Sequence, residues 1–378
     1  MEPFKNNISP ELVGCIADHL ENHLDGFDRQ GFEVPILREL HALELKQRAQ
    51  LISDHLHVSL PEAFDARARV LRAMLHPHDG EHNGQQSDED GISGWGMFPL
   101  AMVVGQHGQR AFKGSLMLLK DMTSRFSSEF DVRYYLIEDQ ERALKIMSAW
   151  VDHPNMHVRR LLSEGTRPRL PWGMQLPQLI ADPSPMLPLL EALRDDEEEY
   201  VRRSVANHLN DIAKDHPDLV AGLAKDWMRG ADKNRERLVR HACRTLIKQG
   251  HAGALDAFGL GPPEIDLAEF AIGTKHVALG GSVEFDATLK STSKKVQSLI
   301  IDYLLHFKKA NGSRVGKVFK WKNIKLAPGA SVTLRKSHAI KPITTRRYYE
   351  GEQALSLRIN GQDYGIEEFD LSVPGKKT

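Results

Sequence analysis

The chain is poor in cysteine, in long apolar runs and in net charge. Its 378 residues include only two cysteines, Cys15 and Cys243, too few for a disulfide framework or a cysteine-based zinc site. No stretch of about 18 apolar residues is free of charge, and no charged start followed by an apolar run marks a signal peptide. We therefore expect a cytoplasmic protein that neither spans a membrane nor is secreted.

The net charge of -1 conceals two regions of opposite sign. Residues 265–378 contain 19 basic and 11 acidic side chains, so this region carries +8 and residues 1–264 carry -9. A basic region of this size favours a polyanionic partner. A basic domain that is merely soluble would carry the same charge, so charge alone leaves both interpretations open.

The first two thirds of the chain predict one helix after another. Leu12, Ile16 and Leu20 recur every four residues and make one apolar stripe, and similar spacing continues up to Pro262. Residues 76–96 interrupt the helices with many polar residues and glycines, which predicts a mobile loop. Four residues of this loop are of metal-binding types: His76, His78, Asp79 and His82. No regular spacing fixes them, so we expect a solvated loop and no metal.

An internal repeat lies within the helical region. The first copy, with Asp152, Val158, Arg159 and Arg160, aligns after 43 residues with Asp195, Val201, Arg202 and Arg203, and after 37 more with Asp232, Leu238, Val239 and Arg240. A period near 40 is typical of HEAT arrays, in which helix pairs stack into a solenoid with a concave face. Such a groove can hold a nucleic-acid duplex.

The last third of the chain predicts strands. Apolar residues alternate through residues 283–289 and 301–307, and further short strands are expected at 332–334, 355–359 and 369–373. Turn-forming pairs separate them: Asn311-Gly312, Pro328-Gly329 and Asn360-Gly361. About seven short strands suggest an immunoglobulin-like β-sandwich without its disulfide. The predicted architecture is an α-solenoid of HEAT-like repeats, residues 1–263, followed by this sandwich, residues 264–378.

Polar residues of several kinds recur at equivalent positions of the repeat. Opposite the apolar stripe Val201, Val205, Leu209 and Ile212, the helix carries Arg203, Asn207, Asp211 and Lys214. The positions four residues beyond the repeat arginines are Glu164, Asn207 and Arg244. Equivalent positions of a solenoid form a ladder on one surface, so these side chains suit a shared binding groove. A solvated face with helix ion pairs of about 0.2 to 0.5 kcal/mol each explains the pattern equally well.

Between the first two repeats, residues 163–172 read Ser-Glu-Gly-Thr-Arg-Pro-Arg-Leu-Pro-Trp. Arg167 and Arg169 beside Trp172 suit phosphate contact and stacking against a nucleotide. The alternative is a structural tryptophan that plugs the end of a repeat.

Residues 163–172, together with residues 201–214 (Val-Arg-Arg-Ser-Val-Ala-Asn-His-Leu-Asn-Asp-Ile-Ala-Lys), resemble the AlkC branch of the HEAT-like alkylpurine DNA glycosylases. The resemblance covers the helical part, and some members of that branch also carry a terminal immunoglobulin-like domain. It implies a bacterial enzyme that hydrolyses the N-glycosidic bond of 3-methyladenine and 3-methylcytosine in double-stranded DNA and leaves an abasic site. It also implies that the base is not flipped into a pocket.

The resemblance assigns roles position by position. Asp211 is the first candidate for the catalytic carboxylate, with Glu164, Glu129 and Trp172 around it. A base methylated at N3 is cationic and leaves as a neutral molecule, so the enzyme has to stabilise the sugar cation and needs no general acid. We expect Asp211 to do this and to position water, with Trp172 on the damaged nucleotide and no metal or cofactor.

The expected DNA contacts are Arg159, Arg160, Arg167, Arg169, Arg203, Asn207, Asn210, Lys214 and Arg244, with the basic sandwich as a second contact. The acidic balance of the helical part opposes duplex binding, which depends on phosphate neutralisation, so local clusters of arginine have to overcome it. We expect a monomer. A scaffold that only binds a protein or nucleic-acid partner is the main alternative. A metal-dependent nuclease is disfavoured because no compact cluster of His and Asp lies on a helix.

Overall fold

A computed structural model describes residues 3–77, 86–343 and 346–373. Within these residues sixteen α-helices precede eight β-strands, and the change from helix to strand falls between Asp256 and Ile265. The predicted class, a helical array followed by a β-sandwich, is confirmed. None of the described helices is long and apolar enough to cross a membrane.

The helices are α1 Pro10–His23, α2 Arg29–Leu40, α3 Leu45–Ser59, α4 Phe64–Ala73, α5 Met97–His107, α6 Phe112–Met122, α7 Val132–Glu138, α8 Gln140–Met147, α9 Met156–Gly165, α10 Pro177–Ala181, α11 Leu187–Leu193, α12 Glu199–Ile212, α13 Pro217–Trp227, α14 Lys233–Ala242, α15 Arg244–Gln249 and α16 Ala252–Asp256.

The chain forms two compact units whose limits differ from the predicted boundary at residue 263. The first comprises Met1–Asp215 and Lys233–Ala242, and the second comprises His216–Asp232 and Cys243–Thr378. The helices α13, α15 and α16 thus belong with the sandwich. A hydrogen bond of 2.9 Å from Arg358 to the carbonyl of Lys248 shows how a strand and a helix of the second unit are joined.

The repeat of the helical unit is a set of packed helices. Helix α12 packs against α9 on one side and α14 on the other, and its predicted apolar stripe is buried, with Val201 and Val205 fully covered. One of the repeat arginines joins neighbouring repeats. Arg159 donates from Nε and Nη2 to both carboxylate oxygens of Asp196, at 2.6 and 3.0 Å. This ion pair fixes the first repeat against the second.

Part of the predicted loop 76–96 is packed: residue 76 and residues 91–93 are buried, whereas residues 86 and 88–90 are exposed. Ile92 and His76 are 0% and 1% exposed. The amide of Ile92 donates to the carbonyl of Met74 at 2.7 Å, and that of His76 to the carbonyl of Ile92 at 3.1 Å. The buried side chain of Ile92 and these backbone hydrogen bonds hold the segment against the helices, which its composition did not reveal. His78, Asp79 and His82 lie outside the described residues.

The sandwich consists of a three-stranded sheet, in the order β1-β3-β6, and a five-stranded sheet, in the order β2-β8-β7-β4-β5. The strands are β1 Ile265–Ile272, β2 His276–Ala278, β3 Ser282–Ser291, β4 Gln297–Lys308, β5 Arg314–Leu326, β6 Ser331–Ala339, β7 Gly351–Ile359 and β8 Gln362–Ser372. Neighbours pair antiparallel except β2 with β8. Alternate residues such as Phe285, Tyr303 and Leu355 fill the core between the sheets.

Candidate active site

Six side chains of alternating charge form a continuous line through the helical unit. In order they are Glu129, Arg160, Glu164, Arg167, Asp211 and Lys214, and we call them the charge chain. They come from the segment before α7, from α9 and the segment after it, and from the end of α12. All three carboxylates predicted by the sequence therefore belong to one network.

Asp211 lies in the interior of the charge chain. Its Oδ2 accepts from Arg167 Nε and its Oδ1 from Lys214 Nζ, both at 2.8 Å. The residue is 1% exposed. The sequence pattern puts Asp211 on the polar stripe of α12, and the structure shows that Arg167, from the segment after α9, covers it there. Each oxygen of Asp211 therefore already accepts a hydrogen bond from a cation.

Glu164 is also an interior member. Its Oε1 accepts from Arg167 at 2.6 Å, and its Oε2 accepts from the hydroxyl of Ser204 at 2.6 Å. Burial alone would raise the pKa of Glu164, but Arg160, Arg167 and the Ser204 hydroxyl outweigh it and hold that pKa below its ordinary value. Glu164 is thus an anion that fixes the two arginines on either side.

Glu129 ends the charge chain and faces a cleft. Its Oε2 accepts from Arg160 Nη1 and, at 2.8 Å, from the hydroxyl of Ser127. Both donors use the same oxygen, and Oε1 has no hydrogen-bond partner among the described residues. The cleft has a volume of about 740 Å³ and its wall includes Trp95, Phe126, Phe130, His157, Arg160 and Tyr200. Glu129 is therefore the member of the chain with an oxygen available to a ligand.

Trp172 is exposed and its backbone is unusual. The residue is 67% exposed, which contradicts the alternative of a buried structural plug. Its φ of 66° lies in the left-handed region, which residues with a side chain rarely adopt. Lys46 of α3 donates to the carbonyl of Trp172 at 2.5 Å, and its ammonium lies 6.0 Å from the Trp172 ring and 5.5 Å from that of Phe130. The indole is thus presented outwards.

Comparisons with known proteins bear on this arrangement. Residues 131–246 match a family described as DNA alkylation repair enzymes, and residues 266–373 match the C-terminal immunoglobulin-like domain of the uncharacterised protein YhaZ. YhaZ of Bacillus subtilis (strain 168) is 36% identical over 373 residues, which are 98% of this chain and 100% of YhaZ. The solved structure of the Pseudomonas fluorescens alkylpurine DNA glycosylase AlkC, bound to DNA with an abasic site analog, has a TM-score of 0.88 and 35% identity over 98% of this chain and 100% of that one.

The chain belongs to the AlkC family of alkylpurine DNA glycosylases. The resemblance predicted from the sequence is confirmed.

Within this AlkC-family chain, three predicted DNA contacts, Arg159, Arg167 and Asn210, are buried. Arg159 binds Asp196 and also donates to two backbone carbonyls. Arg167 is 6% exposed and holds two carboxylates, and Asn210 is 4% exposed. The prediction that these three side chains contact phosphates does not fit this geometry, because helix patterns reveal which residues are polar but not which partners cover them.

The other predicted contacts differ in their accessibility. Arg203 and Lys214 are exposed. Arg169 is partly exposed and donates two hydrogen bonds of 2.8 Å to Asp215, and Asn207 accepts from a ring nitrogen of His241 at 2.9 Å. Arg160 is committed to the charge chain, whereas Arg244 belongs to the second compact unit.

His76, Asp88 and Asp90 each place one potential metal-ligating atom within 4.8 Å of the others. His76 Nε2 lies 3.3 Å from Asp88 Oδ1, so a histidine–carboxylate contact already accounts for this approach.

His208 is a buried residue of the site to which the sequence pattern gave no role. Its Nδ1 lies 2.9 Å from the carbonyl of Ser163, and the ring is 0% exposed. Burial lowers the pKa of His208 to about 4, although its contact with Ser163 opposes this shift. The ring is neutral in the folded protein at neutral pH.

We predict that His208 makes folding sensitive to mild acid. Between its ordinary pKa of 6.5 and about 4, the unfolded chain binds a proton that the folded chain does not, so stability falls as pH drops. The whole window corresponds to about 3 kcal/mol. Denaturant unfolding at several pH values should show a flatter dependence for His208→Gln than for the parent protein. Parallel curves would contradict the prediction.

Proposed function

We propose that this protein is a DNA glycosylase that hydrolyses the N-glycosidic bond of cationic alkylated bases, 3-methyladenine and 3-methylcytosine, in double-stranded DNA. The reaction leaves an abasic site. The single observation that carries the proposal is a carboxylate, Glu129, fixed at the wall of a cleft by Arg160 in a chain of the AlkC family. We propose that it works as a monomer in the cytoplasm, where Cys15 and Cys243 stay unpaired, without a metal or cofactor.

Hydrolysis of the N-glycosidic bond of a cationic base requires one anion near the sugar and one water molecule. As the bond between the anomeric carbon and the base nitrogen lengthens, positive charge develops on the sugar, and the base carries off the bonding electrons as a neutral molecule. Glu129 Oε1 stabilises the sugar cation and orients the water that attacks the anomeric carbon. The water's proton passes to Glu129 or to solvent. A preorganised group of this kind contributes about 10² to 10³ in rate.

Asp211 and Glu164 act indirectly in this proposal. Asp211 and Glu164 hold Arg167, and Glu164 also holds Arg160, so Arg160 is fixed where it binds Glu129. The three carboxylates expected from the resemblance keep a part in the reaction. The carboxylate that touches the sugar is Glu129, and Asp211 is a positioning residue.

DNA binding is proposed to use exposed groups of both compact units. In the helical unit these are Trp172, Arg203, Lys214 and Arg169, with Trp172 on the damaged nucleotide. In the sandwich, strand β5 carries four exposed lysines: Lys317, Lys320, Lys322 and Lys325. Following the family resemblance, we propose that the damaged base is not flipped into a pocket. The outward indole of Trp172 fits contact with a nucleotide at the protein surface.

We predict that Glu129→Gln lowers single-turnover excision of 3-methyladenine by at least about 100-fold, because it removes the anion beside the sugar. DNA affinity and unfolding should change little, since Glu129 lies at the end of the charge chain. Asp211→Asn should lower excision less but reduce stability more, because it leaves two cations short of a buried partner.

Asp215→Asn is the matched control, since Asp215 binds the partly exposed Arg169 near the same helix end, and we expect normal excision from it. A larger loss of excision in Asp211→Asn than in Glu129→Gln would reverse the two roles. If the parent protein binds alkylated DNA but releases no base, a scaffold that only binds DNA replaces the proposed enzyme.

We predict a simple dependence of excision on pH and on the charge of the lesion. No enzyme proton is needed to expel a cationic base, so single-turnover excision of 3-methyladenine should rise once with pH and stay flat from about pH 6 to 9. Chelators should have no effect, and the uncharged base hypoxanthine should be released poorly. A bell-shaped profile near neutrality, or rapid hypoxanthine release, would show that a general acid operates.

We predict that the sandwich contributes to the salt dependence of DNA binding. Replacing Lys320, Lys322 and Lys325 with glutamine should weaken binding and flatten the plot of log affinity against log salt by about 0.9 for each phosphate that a lysine no longer neutralises. Substitution suits this test better than removal of the strands, because helices α13, α15 and α16 belong to the same compact unit. An unchanged slope would exclude these lysines from the interface.

A further inference from the structure

Arg133 of α7 is fully buried, and its hydrogen bonds go to backbone carbonyls. It is 0% exposed. Its Nη1 donates to the carbonyls of Gly165 and Arg167, both at 2.8 Å, and its Nε donates to the carbonyl of Met174 at 2.6 Å. One guanidinium thus ties together the two ends of residues 165–174, which we call the tryptophan segment.

The tryptophan segment carries two groups of the site. Arg167 binds Asp211 and Glu164 within the charge chain, and Trp172 presents its indole to solvent. The left-handed backbone of Trp172 is unfavourable for a residue with a side chain, and such a conformation persists only where its surroundings fix it. The tryptophan segment therefore needs contacts with the rest of the fold that fix its backbone.

The fit around Arg133 is close. A Cβ atom added to Gly173 would lie 3.3 Å from Arg133 Nε and 3.1 Å from Leu170 Cδ2, so the segment closes directly onto the guanidinium. From the outer side, Lys46 donates to the carbonyl of Trp172. The buried cation Arg133 therefore holds the backbone before and after Trp172, and the exposed cation Lys46 holds the carbonyl of Trp172 itself.

Stability alone is a weak reason for a cation at this position. Burial, together with the nearby Arg167, lowers the pKa of Arg133 to about 10. Its Nη2 has no hydrogen-bond partner among the described residues. A buried charge with an unused donor is costly, and an apolar side chain of similar volume is often tolerated better at such places. What explains an arginine here is its ability to donate to the carbonyls of Gly165, Arg167 and Met174 at the same time.

We infer that Arg133 is a positioning residue for the glycosylase reaction: it fixes the path of the tryptophan segment so that Trp172 faces the DNA and Arg167 reaches both its carboxylates. This inference rests on the proposed function. Arg133 itself touches no substrate, because it has no exposed surface.

The experiment compares Arg133→Met and Arg133→Lys with a matched control, Arg48→Met. Arg48 is a second buried arginine, 6% exposed, and it donates to the carbonyls of Leu43, Lys5 and Ile8, outside the tryptophan segment. Denaturant unfolding and single-turnover excision of 3-methyladenine at saturating enzyme are measured for each variant.

The inference requires Arg133→Met to lower excision by at least about 10-fold in folded protein, while Arg48→Met excises normally. Arg133→Lys should be intermediate, because one ammonium cannot reach all three carbonyls, and it carries the test if the methionine variant does not fold. The loss should also be non-additive with Trp172→Ala, since both changes act on the same segment. Normal excision by both Arg133 variants, or additive losses, would overturn the inference.

A second readout does not depend on catalysis. The fluorescence difference between the parent and Trp172→Phe isolates the Trp172 signal, and its quenching by acrylamide should change with Arg133→Met but not with Arg48→Met. An unchanged signal would overturn the inference even in an active enzyme. If the parent protein excises no base while this signal responds, the proposed function fails and the structural part of the inference stands.

Discussion

The buried charge chain is the interaction on which the helical unit depends. Glu164, Arg167 and Asp211 are almost fully covered, so each has lost its hydration and needs an oppositely charged neighbour. Removing one partner of such a buried pair costs about 3 to 5 kcal/mol. Because the members come from successive repeats, correct stacking of the helices and correct assembly of the site are the same event. Misplaced repeats would leave buried charges unpaired.

This use of arginine explains the charge distribution of the chain. Some arginines of the helical part that were predicted to contact DNA, such as Arg159 and Arg167, form ion pairs with carboxylates of the protein. The helical part can therefore be rich in arginine at the repeats and still carry -9. In the proposed function, phosphate neutralisation comes from a smaller set of exposed groups and from the +8 region.

The periodic features of the fold could be predicted from sequence, and the contacts between distant segments could not. The stripe through Val201 and Val205 identified α12, and alternation identified β3 and β4, because burial of one face imposes a period. A helix pattern cannot tell what packs over a polar face, so it did not show that Arg167 covers Asp211. Lys46 and Arg133 follow no pattern, since their partners lie 126 and at least 32 residues away. Ile92 likewise anchors a segment whose composition suggested a loop.

A carboxylate that stabilises a sugar cation has to satisfy two opposed demands. It must be held rigidly, which calls for charged partners, and it must keep an oxygen unpaired, which calls for few of them. In the proposed function the interior member Asp211 meets the first demand, since it has a cation on each oxygen. Glu129, at the end, receives both of its hydrogen bonds on Oε2 and keeps Oε1 for the cleft. In the proposed function, the position of a carboxylate along the charge chain, more than its identity, decides which one acts on the sugar.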